Sequence, residues 1–250
     1  STLKNIVGRL PAYFTPDHKP IYGPYNMQEC ALDMMLYYLE WSGDLTLAEK
    51  YFDNMCAMVA FETRILDPDN DGLYQNMLNT WISDGHQYNG AGCAQATAYN
   101  YRAYQVLAKI AKKIGRDSTD LEKMAEKIKA AYDEQLWMPH EGVFADFKDT
   151  VGNKLLHPAV ELPTVYHAID SDMVDHRKAY RTLRYTEKHI KSIVTPGREG
   201  RLSFSSNWLP KQYSSCGIFS AENAHLALAY YQLGLKEQGK KLLDGLDDVD

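Results

Sequence analysis

The run from 79 to 90, Asn79-Thr-Trp81-Ile-Ser83-Asp84-Gly-His86-Gln-Tyr88-Asn89-Gly90, packs a carboxylate, an imidazole, amides, an indole and a phenol into twelve consecutive residues. Flat aromatic faces stack on the C–H surface of a sugar, and Asp, Asn, Gln and His supply the paired hydrogen bonds that recognition of hydroxyls requires. A carboxyl beside an indole loses water, and its pKa rises toward that of a general acid. These residue types make Asp84 a candidate acid and Trp81, His86, Tyr88 and Asn89 candidate sugar-binding residues. They also allow a plainer arrangement, in which Asp84 caps the helix entering at Gly90 and Trp81 belongs to the core.

Acid, indole and amide come together a second time at Asn207-Trp208-Leu-Pro, with Glu222 in the first turn of the helix that follows. Glu222 is the candidate second carboxylate, with Asn207 and Trp208 as binding residues. Gln28 and Glu29 also open a helix, where the dipole favours a carboxylate and lowers its pKa. Both are candidate substrate contacts, although capping is the commoner role of such residues.

Other chemistries recede. Asp67-Pro-Asp69-Asn-Asp71-Gly72 has acids at positions 1, 3 and 5 and Gly at 6 of a calcium loop, but position 12 is Leu78 rather than Glu. A turn whose Asp side chains bond their own backbone is the favoured reading. His140-Glu141 lacks the second His of a zinc protease, Gly90-Ala-Gly92 lacks the third Gly of a dinucleotide loop, and no nucleophile elbow or P-loop occurs. No metal and no cofactor are expected. With 27 Lys and Arg against 33 Asp and Glu, a net charge of −6 offers no footprint for nucleic acid. No apolar run is long enough to span a membrane. Cys30, Cys56, Cys93 and Cys216 are too dispersed for a metal knuckle or a disulfide framework and read as buried thiols. The chain opens at Ser1 with no leader pattern, which leaves the compartment open.

These residues must be positioned by helices. Met27, Cys30, Ala31, Met34, Met35 and Tyr38 form one apolar face, and Leu32, Leu36 and Leu39 a second, so this helix is expected to have protein on two sides. It stops at Ser42-Gly43, and Asp44 or Thr46 starts the next, with Thr46 and Glu49 at capping-box spacing. The pattern recurs: a helix from Ala91 to Ile114 stops at Gly115 before Thr119-x-x-Glu122, and a helix from Ala221 through Tyr230 breaks at Gly234 and resumes over Lys236 to Leu243. Repeated helix, glycine, helix units suggest an all-α fold of stacked hairpins closing into an α/α toroid; an irregular bundle is the alternative. The joints at Gly43, Gly115 and Gly234 lie 72 and 119 residues apart, about one hairpin per 60 residues, so residues 1–250 form a single domain of about four hairpins. Between the hairpins, 67–92, 137–163 and 193–220 are long helix-poor segments, with short strands expected near Val143 to Phe147 and Gly200 to Ser205.

The run from Gln28 to Asp44, then Asp67-Pro-Asp-Asn-Asp-Gly-Leu-Tyr, then Asn79 to Gly90, resembles the six-hairpin glycosidases, the (α/α)6-toroid clan of glucoamylases, α-rhamnosidases and family 63 glycosidases. Ser205-Ser-Asn-Trp-Leu-Pro and Ala221-Glu-Asn-Ala-His extend the resemblance, within that clan, to an uncharacterised group of large bacterial glycoside hydrolases. It covers most of residues 20 to 245.

The resemblance implies a glycoside or oligosaccharide substrate, a secreted or periplasmic location, and a role for Asp84 as general acid with Trp81 and Ser83 beside it. It implies inversion by two carboxylates about 6.5–9.5 Å apart. Four hairpins are fewer than six, so the toroid is incomplete and the chain part of a longer protein. The partner base then lies beyond Asp250, with Glu222 as its fallback within this chain, and the open ring meets the remainder of its own chain or forms a homo-oligomer. Two other functions fit the same residues: a non-catalytic carbohydrate-binding or scaffold domain, and a sugar epimerase or lyase in which His86 or His225 converges with a Tyr.

Overall fold

The structure, a computed structural model, describes residues 13–21, 26–75, 92–149, 152–158, 161–194, 196–207 and 216–248. The helices are α1 (Asn26–Ser42), α2 (Leu45–Leu66), α3 (Ala94–Lys113), α4 (Thr119–Leu136), α5 (Leu162–Asp170), α6 (His176–His189), α7 (Ser220–Gln232) and α8 (Lys236–Asp247). They pair in sequence as four helical hairpins. The first member of each pair is an inner helix, and these pack side by side in the order α1, α3, α5, α7 and point the same way. Asp33 with Arg102 and Glu40 with Lys109 are two rungs in the same direction along α1 and α3, and Asp146 holds the starts of α3 and α5 together. Arg102 Nε donates to Asp33 Oδ1 at 2.6 Å between α3 and α1, the Tyr99 and His167 rings meet at 4.3 Å between α3 and α5, and Tyr166 stacks on His225 at 4.1 Å between α5 and α7. The fold is an arc of an α/α toroid with one continuous core, drawn from Leu36, Met55, Leu107, Ile128, Tyr132, Leu162 and Leu226 among others.

Glycine closes three of the joints. Gly43, Gly115 and Gly234 have φ of 65°, 71° and 74°, the left-handed conformation that glycine adopts without steric cost. The fourth joint, between α5 and α6, carries no glycine: Asp172 takes the left-handed position itself at φ 55°. Of the two residues offered as the start of α2, Asp44 is the cap, its Oδ1 accepting from the backbone N–H of Thr46 at 3.0 Å. The cap expected at Thr119 differs. Thr119 lies inside the first turn of α4, and Asp117 Oδ1 accepts from its N–H at 2.9 Å.

The expectation of protein on two sides of α1 is not met among the described residues. Leu32, Leu36 and Leu39 are buried, but Met34 is 73% and Trp41 86% exposed, with Tyr38 also open, because α1 ends the row of inner helices. Leu228 and Tyr231 form a similar exposed stripe on α7 at the other end. Of the four thiols only Cys93 is buried; Cys30, Cys56 and Cys216 are partly exposed, and none of the four forms a disulfide.

The long segments hold short strands: β1 (Tyr13–Phe14), β2 (Pro20–Ile21), β3 (Gly92–Cys93), β4 (Trp137–Met138), β5 (Val143–Phe144), β6 (Phe147–Lys148), β7 (Leu156–His157), β8 (Ser192–Val194) and β9 (Arg201–Ser203). β6 is the centre of an antiparallel β3-β6-β7 sheet, with Phe147 opposite both Cys93 and His157. This sheet carries the chain from α4 across the N-terminus of α3. Among the described residues no helix is long and apolar enough to cross a membrane.

Candidate active site

Because the inner helices are parallel, their N-termini gather at one end of the arc. At that end Asp146, between β5 and β6, holds two of the helices. Its carbonyl accepts from the Ala94 N–H that opens α3 at 2.9 Å, and its carboxylate accepts from the Thr164 hydroxyl in the first turn of α5. Glu161 is the N-cap residue of α5 and bridges Ser206, while Leu162 N–H donates to Ser205 O at 2.8 Å. Asn223 ties α7 to β9 through Ser203 N–H at 2.7 Å and Ser203 O at 3.0 Å, which fixes the turn carrying Glu222.

Three carboxyl groups are thereby buried at the mouth, with Glu161 3%, Asp146 4% and Glu222 8% exposed. Burial, and then the negative charge of Glu161, push the Glu222 carboxyl up to about 8. The same two causes raise Asp146 well above the ordinary carboxylate range, against the opposing hydrogen bonds of Thr164 and the Glu161 N–H. Glu222 Oε2 has no hydrogen-bond partner among the described residues, and neither has Asn207 Oδ1, next in sequence to the Ser206 that bridges Glu161. Two buried oxygens with no partner among the described residues mark a place where a ligand hydroxyl can bond.

Of the residues expected from sequence, Glu222 and Asn207 come to this mouth. Asp84, Trp81, His86, Tyr88, Asn89 and Trp208 lie outside the described residues, as do the side chains of Gln28 and Glu29 in the first turn of α1. The flanks of the two loop segments are nevertheless fixed. Cys93 N–H donates to Tyr74 O at 2.8 Å, so the chain leaves for 76–91 and returns from it at the N-terminus of α3. Ser205 N–H donates to Gly217 O at 2.7 Å, so 208–215 starts and ends beside Glu161. Asp146 and Glu161 were not singled out in the sequence. Glu161-Leu-Pro163, an acid before a proline in a helical first turn, is the signal that could have found the second of them.

Deeper between the inner helices, His225 does meet a tyrosine, as a proton-transfer site would require. The contact is a face-to-face stack on Tyr166, 17° from parallel, and His225 Nε2 lies 3.4 Å from Asp170 Oδ2. Burial raises the Asp170 carboxyl, but hydrogen bonds from His225, Tyr37 and Gln232 outweigh it and hold the group below its ordinary range. Burial also keeps His167 neutral, well below the usual imidazole pKa. Asp170 is bonded by Tyr37, His225 and Gln232, and the Tyr166, His167 and His225 rings pack against one another.

In the Asp67 loop the three aspartates each bring a carboxylate oxygen within 4.8 Å of the others. Lys127 of α4 reaches into the same loop, its Nζ 2.5 Å from Asn70 Oδ1 and 3.7 Å from Asp67 Oδ2. Gly72 N–H donates to Asp67 Oδ2 at 3.2 Å and Leu73 N–H to Asp71 Oδ1 at 2.8 Å. The loop is a side-chain-bonded turn with an ammonium as its cation.

The fold is similar to that of the family 63 mannosylglycerate hydrolase from Thermus thermophilus, with a TM-score of 0.71 and 13% identity over 95% of this chain and 74% of that one. The rhamnosidase from Klebsiella oxytoca gives 0.60 at 14% identity over 93% of this chain and 40% of that chain. The family 78 rhamnosidase of Bacillus sp. GL1 gives 0.61 at 13% identity over 88% and 20%. At such identities the likeness is one of fold, that of the α/α toroid. No curated protein matches the chain in sequence. The profile of the mannosylglycerate hydrolase MGH1-like glycoside hydrolase domain matches residues 63–189. That span is half of the 250 residues and runs from the end of α2 to the end of α6, across the Asp84 segment, Asp146 and Glu161. The chain belongs to the mannosylglycerate hydrolase MGH1-like glycoside hydrolase domain family.

Proposed function

We propose that the mouth formed by the N-termini of α1, α3, α5 and α7 binds a glycoside and that Asp84 protonates the leaving glycosidic oxygen. The observation that carries this reading is the convergence of Glu222, Glu161 and Asp146 with the fixed ends of the segments bearing Asp84 and Trp208. Trp81, His86, Tyr88, Asn89, Asn207 and Trp208 would hold the sugar, together with Gln28 and Glu29. Glu222 takes a different part from the fallback base expected of it. A carboxyl titrating at about 8 is protonated at neutral pH and donates a hydrogen bond rather than accepting a proton from water. The water-activating base is then a carboxylate outside the described residues, acting on the opposite face of the sugar with inversion.

Turnover of α- and β-glycosides by the wild type and by Asp84→Asn tests the assignment, with the anomer of the released sugar read by NMR. The expected result is a loss of about 10²–10⁴-fold in kcat and an inverted product; full turnover by Asp84→Asn overturns it. The protonated state of Glu222 also favours a carbohydrate-binding domain without hydrolysis. Saturable sugar binding without turnover would move the function there.

We further infer that the exposed edges, Met34, Tyr38 and Trp41 on α1 and Leu228 and Tyr231 on α7, are covered by further hairpins completing the ring. A chain of 250 residues that sediments as a stable dimer would assign that role to a second copy instead.

A further inference from the structure

On the outer layer of the arc, α6 carries a cationic surface that the glycosidase mechanism does not use. Its 14 residues include Arg177, Lys178, Arg181, Arg184 and Lys188 against the single acid Glu187, in a chain whose net charge is −6. Arg181, Arg184, Tyr185, Lys188 and His189, with Glu141 and Gly142 from the β4–β5 turn, line a surface cavity of about 240 Å³.

Several of these groups are held in place before any ligand arrives. Arg181 Nη2 donates to Pro139 O at 2.8 Å, and the guanidinium stands 5.3 Å from the centre of the Trp137 ring. The turn closes on it so tightly that a Cβ on Gly142 would come within 2.8 Å of Arg181 Nε. The Tyr185 hydroxyl donates to Pro158 O at 3.1 Å, and its ring stacks on His189 at 4.1 Å. Arg184 pairs with Glu187, whereas Lys188 is exposed and has no hydrogen bond or ion pair among the described residues. The three cations Arg181, Arg184 and Lys188 outnumber the acids Glu141 and Glu187 by one. Lys and Arg in a last helical turn complement the helix dipole, which accounts for the charge. It does not account for a fixed guanidinium and a free ammonium facing one cavity beside an aromatic pair.

A fixed fork and a nearby ammonium are the donors that bind two oxygens of one carboxylate or phosphate, and stacked aromatic rings offer a flat apolar wall to a pyranose. Position adds a further argument. α6 runs antiparallel to α5, so its last turn lies at the mouth end of the arc, and Tyr185 is anchored to Pro158, three residues before Glu161. The cavity is therefore about one helix layer, ~10 Å, outside the inner row. We propose that it is an accessory site for the anionic group, carboxylate or phosphate, of an acidic saccharide.

Calorimetric or NMR titration of the chain with D-glucuronate, glucose 6-phosphate and glucose tests this. The expected result is that at least one of the two acidic sugars binds more tightly than glucose, and that this excess is weakened by salt and reduced about tenfold by Arg181→Gln and by Lys188→Ala. Glucuronate alone would identify a sugar acid, and glucose 6-phosphate alone a phosphorylated sugar. Lys188 has no partner to lose, so its variant folds and keeps the test decisive. Saturation by neither acidic sugar, equal binding of glucose, or binding that survives both substitutions overturns the proposal. The same titration on Asp84→Asn is expected to be unchanged, which separates this site from the catalytic assignment.

Discussion

Replacing Glu222 by glutamine should stabilise the protein, and by an amount that depends on pH. The carboxyl titrates near 4.5 in an exposed chain and near 8 in the fold. A folded-state pKa raised above the unfolded one means that the native state binds the extra proton between those values. The stability associated with that proton is fully present below about 4.5 and is lost as the pH rises through 8. The interval corresponds to about 5 kcal/mol, at 1.36 kcal/mol per unit, as an order of magnitude. At pH 7 the part already lost is about 3 kcal/mol. Glutamine keeps the shape and cannot ionise, so the difference between Glu222→Gln and the wild type should be near zero at pH 4, about 3 kcal/mol at pH 7 and larger at pH 8.5. In a chain of this size 3 kcal/mol is roughly 6–12 °C in Tm. Urea unfolding of both proteins over that pH range measures it directly. Asp146 titrates in both proteins, so the difference reports on position 222. Parallel pH profiles with no widening gap would refute the reasoning, because they would mean that Glu222 reaches water or a cation in solution. In a Glu161→Gln background the gap should shrink, since the charge of Glu161 is the second cause of the shift.

Burial depresses His167, so protonation below about pH 6.5 favours the unfolded chain; His167→Gln should flatten the loss of Tm on acidification, and an unchanged acid limb would count against a neutral buried imidazole. Calcium should leave the Tm of the wild type unchanged because Lys127 already serves the Asp67 loop, whereas Lys127→Ala should lower the Tm and make it rise with added calcium; a calcium-dependent wild type would show that the ammonium is easily displaced. Asn223→Ala removes three hydrogen bonds, to Ser203 N–H, Ser203 O and Phe219 O. Denaturant unfolding should register a cost of about 2–3 kcal/mol, and a change under about 0.5 kcal/mol would mean that solvent replaces them.

Six of the eight described helices were legible because apolar side chains recur at three and four residues, and three joints because glycine marks a left-handed residue; α5 and α6 were not read from the sequence. The α5–α6 joint was hidden since Asp172 takes that conformation, and Asp marks it far less reliably than glycine does. Of the two apolar faces of α1, the one with Leu32, Leu36 and Leu39 is buried, whereas Met34 and Tyr38 of the other stay exposed among the described residues, because periodicity marks an apolar face without saying what lies against it. At the site, Glu222 and Asn207 could be singled out because each sits near an aromatic or a helix start. Asp146 and Glu161 acquire their meaning only when β6 pairs with β3 and Glu161 bridges Ser206, contacts between residues far apart in sequence. Periodicity carries no trace of such pairings.

The two ends of Asp146 have a bearing on how such a domain can change. One peptide carbonyl and one carboxylate fasten the starts of α3 and α5 to a short sheet, and Asn223 does the same for α7. The acidic groups at the mouth thus take their positions from the scaffold, while Asp84 and Trp208 ride on segments whose two ends are clamped together. If the proposed function holds, insertions, deletions or grafted sequences between those clamps alter which sugar is accepted without shifting Glu161 or Glu222. Divergence in substrate among relatives of this fold can then proceed by exchange of loop cassettes, with the helical arc inherited intact.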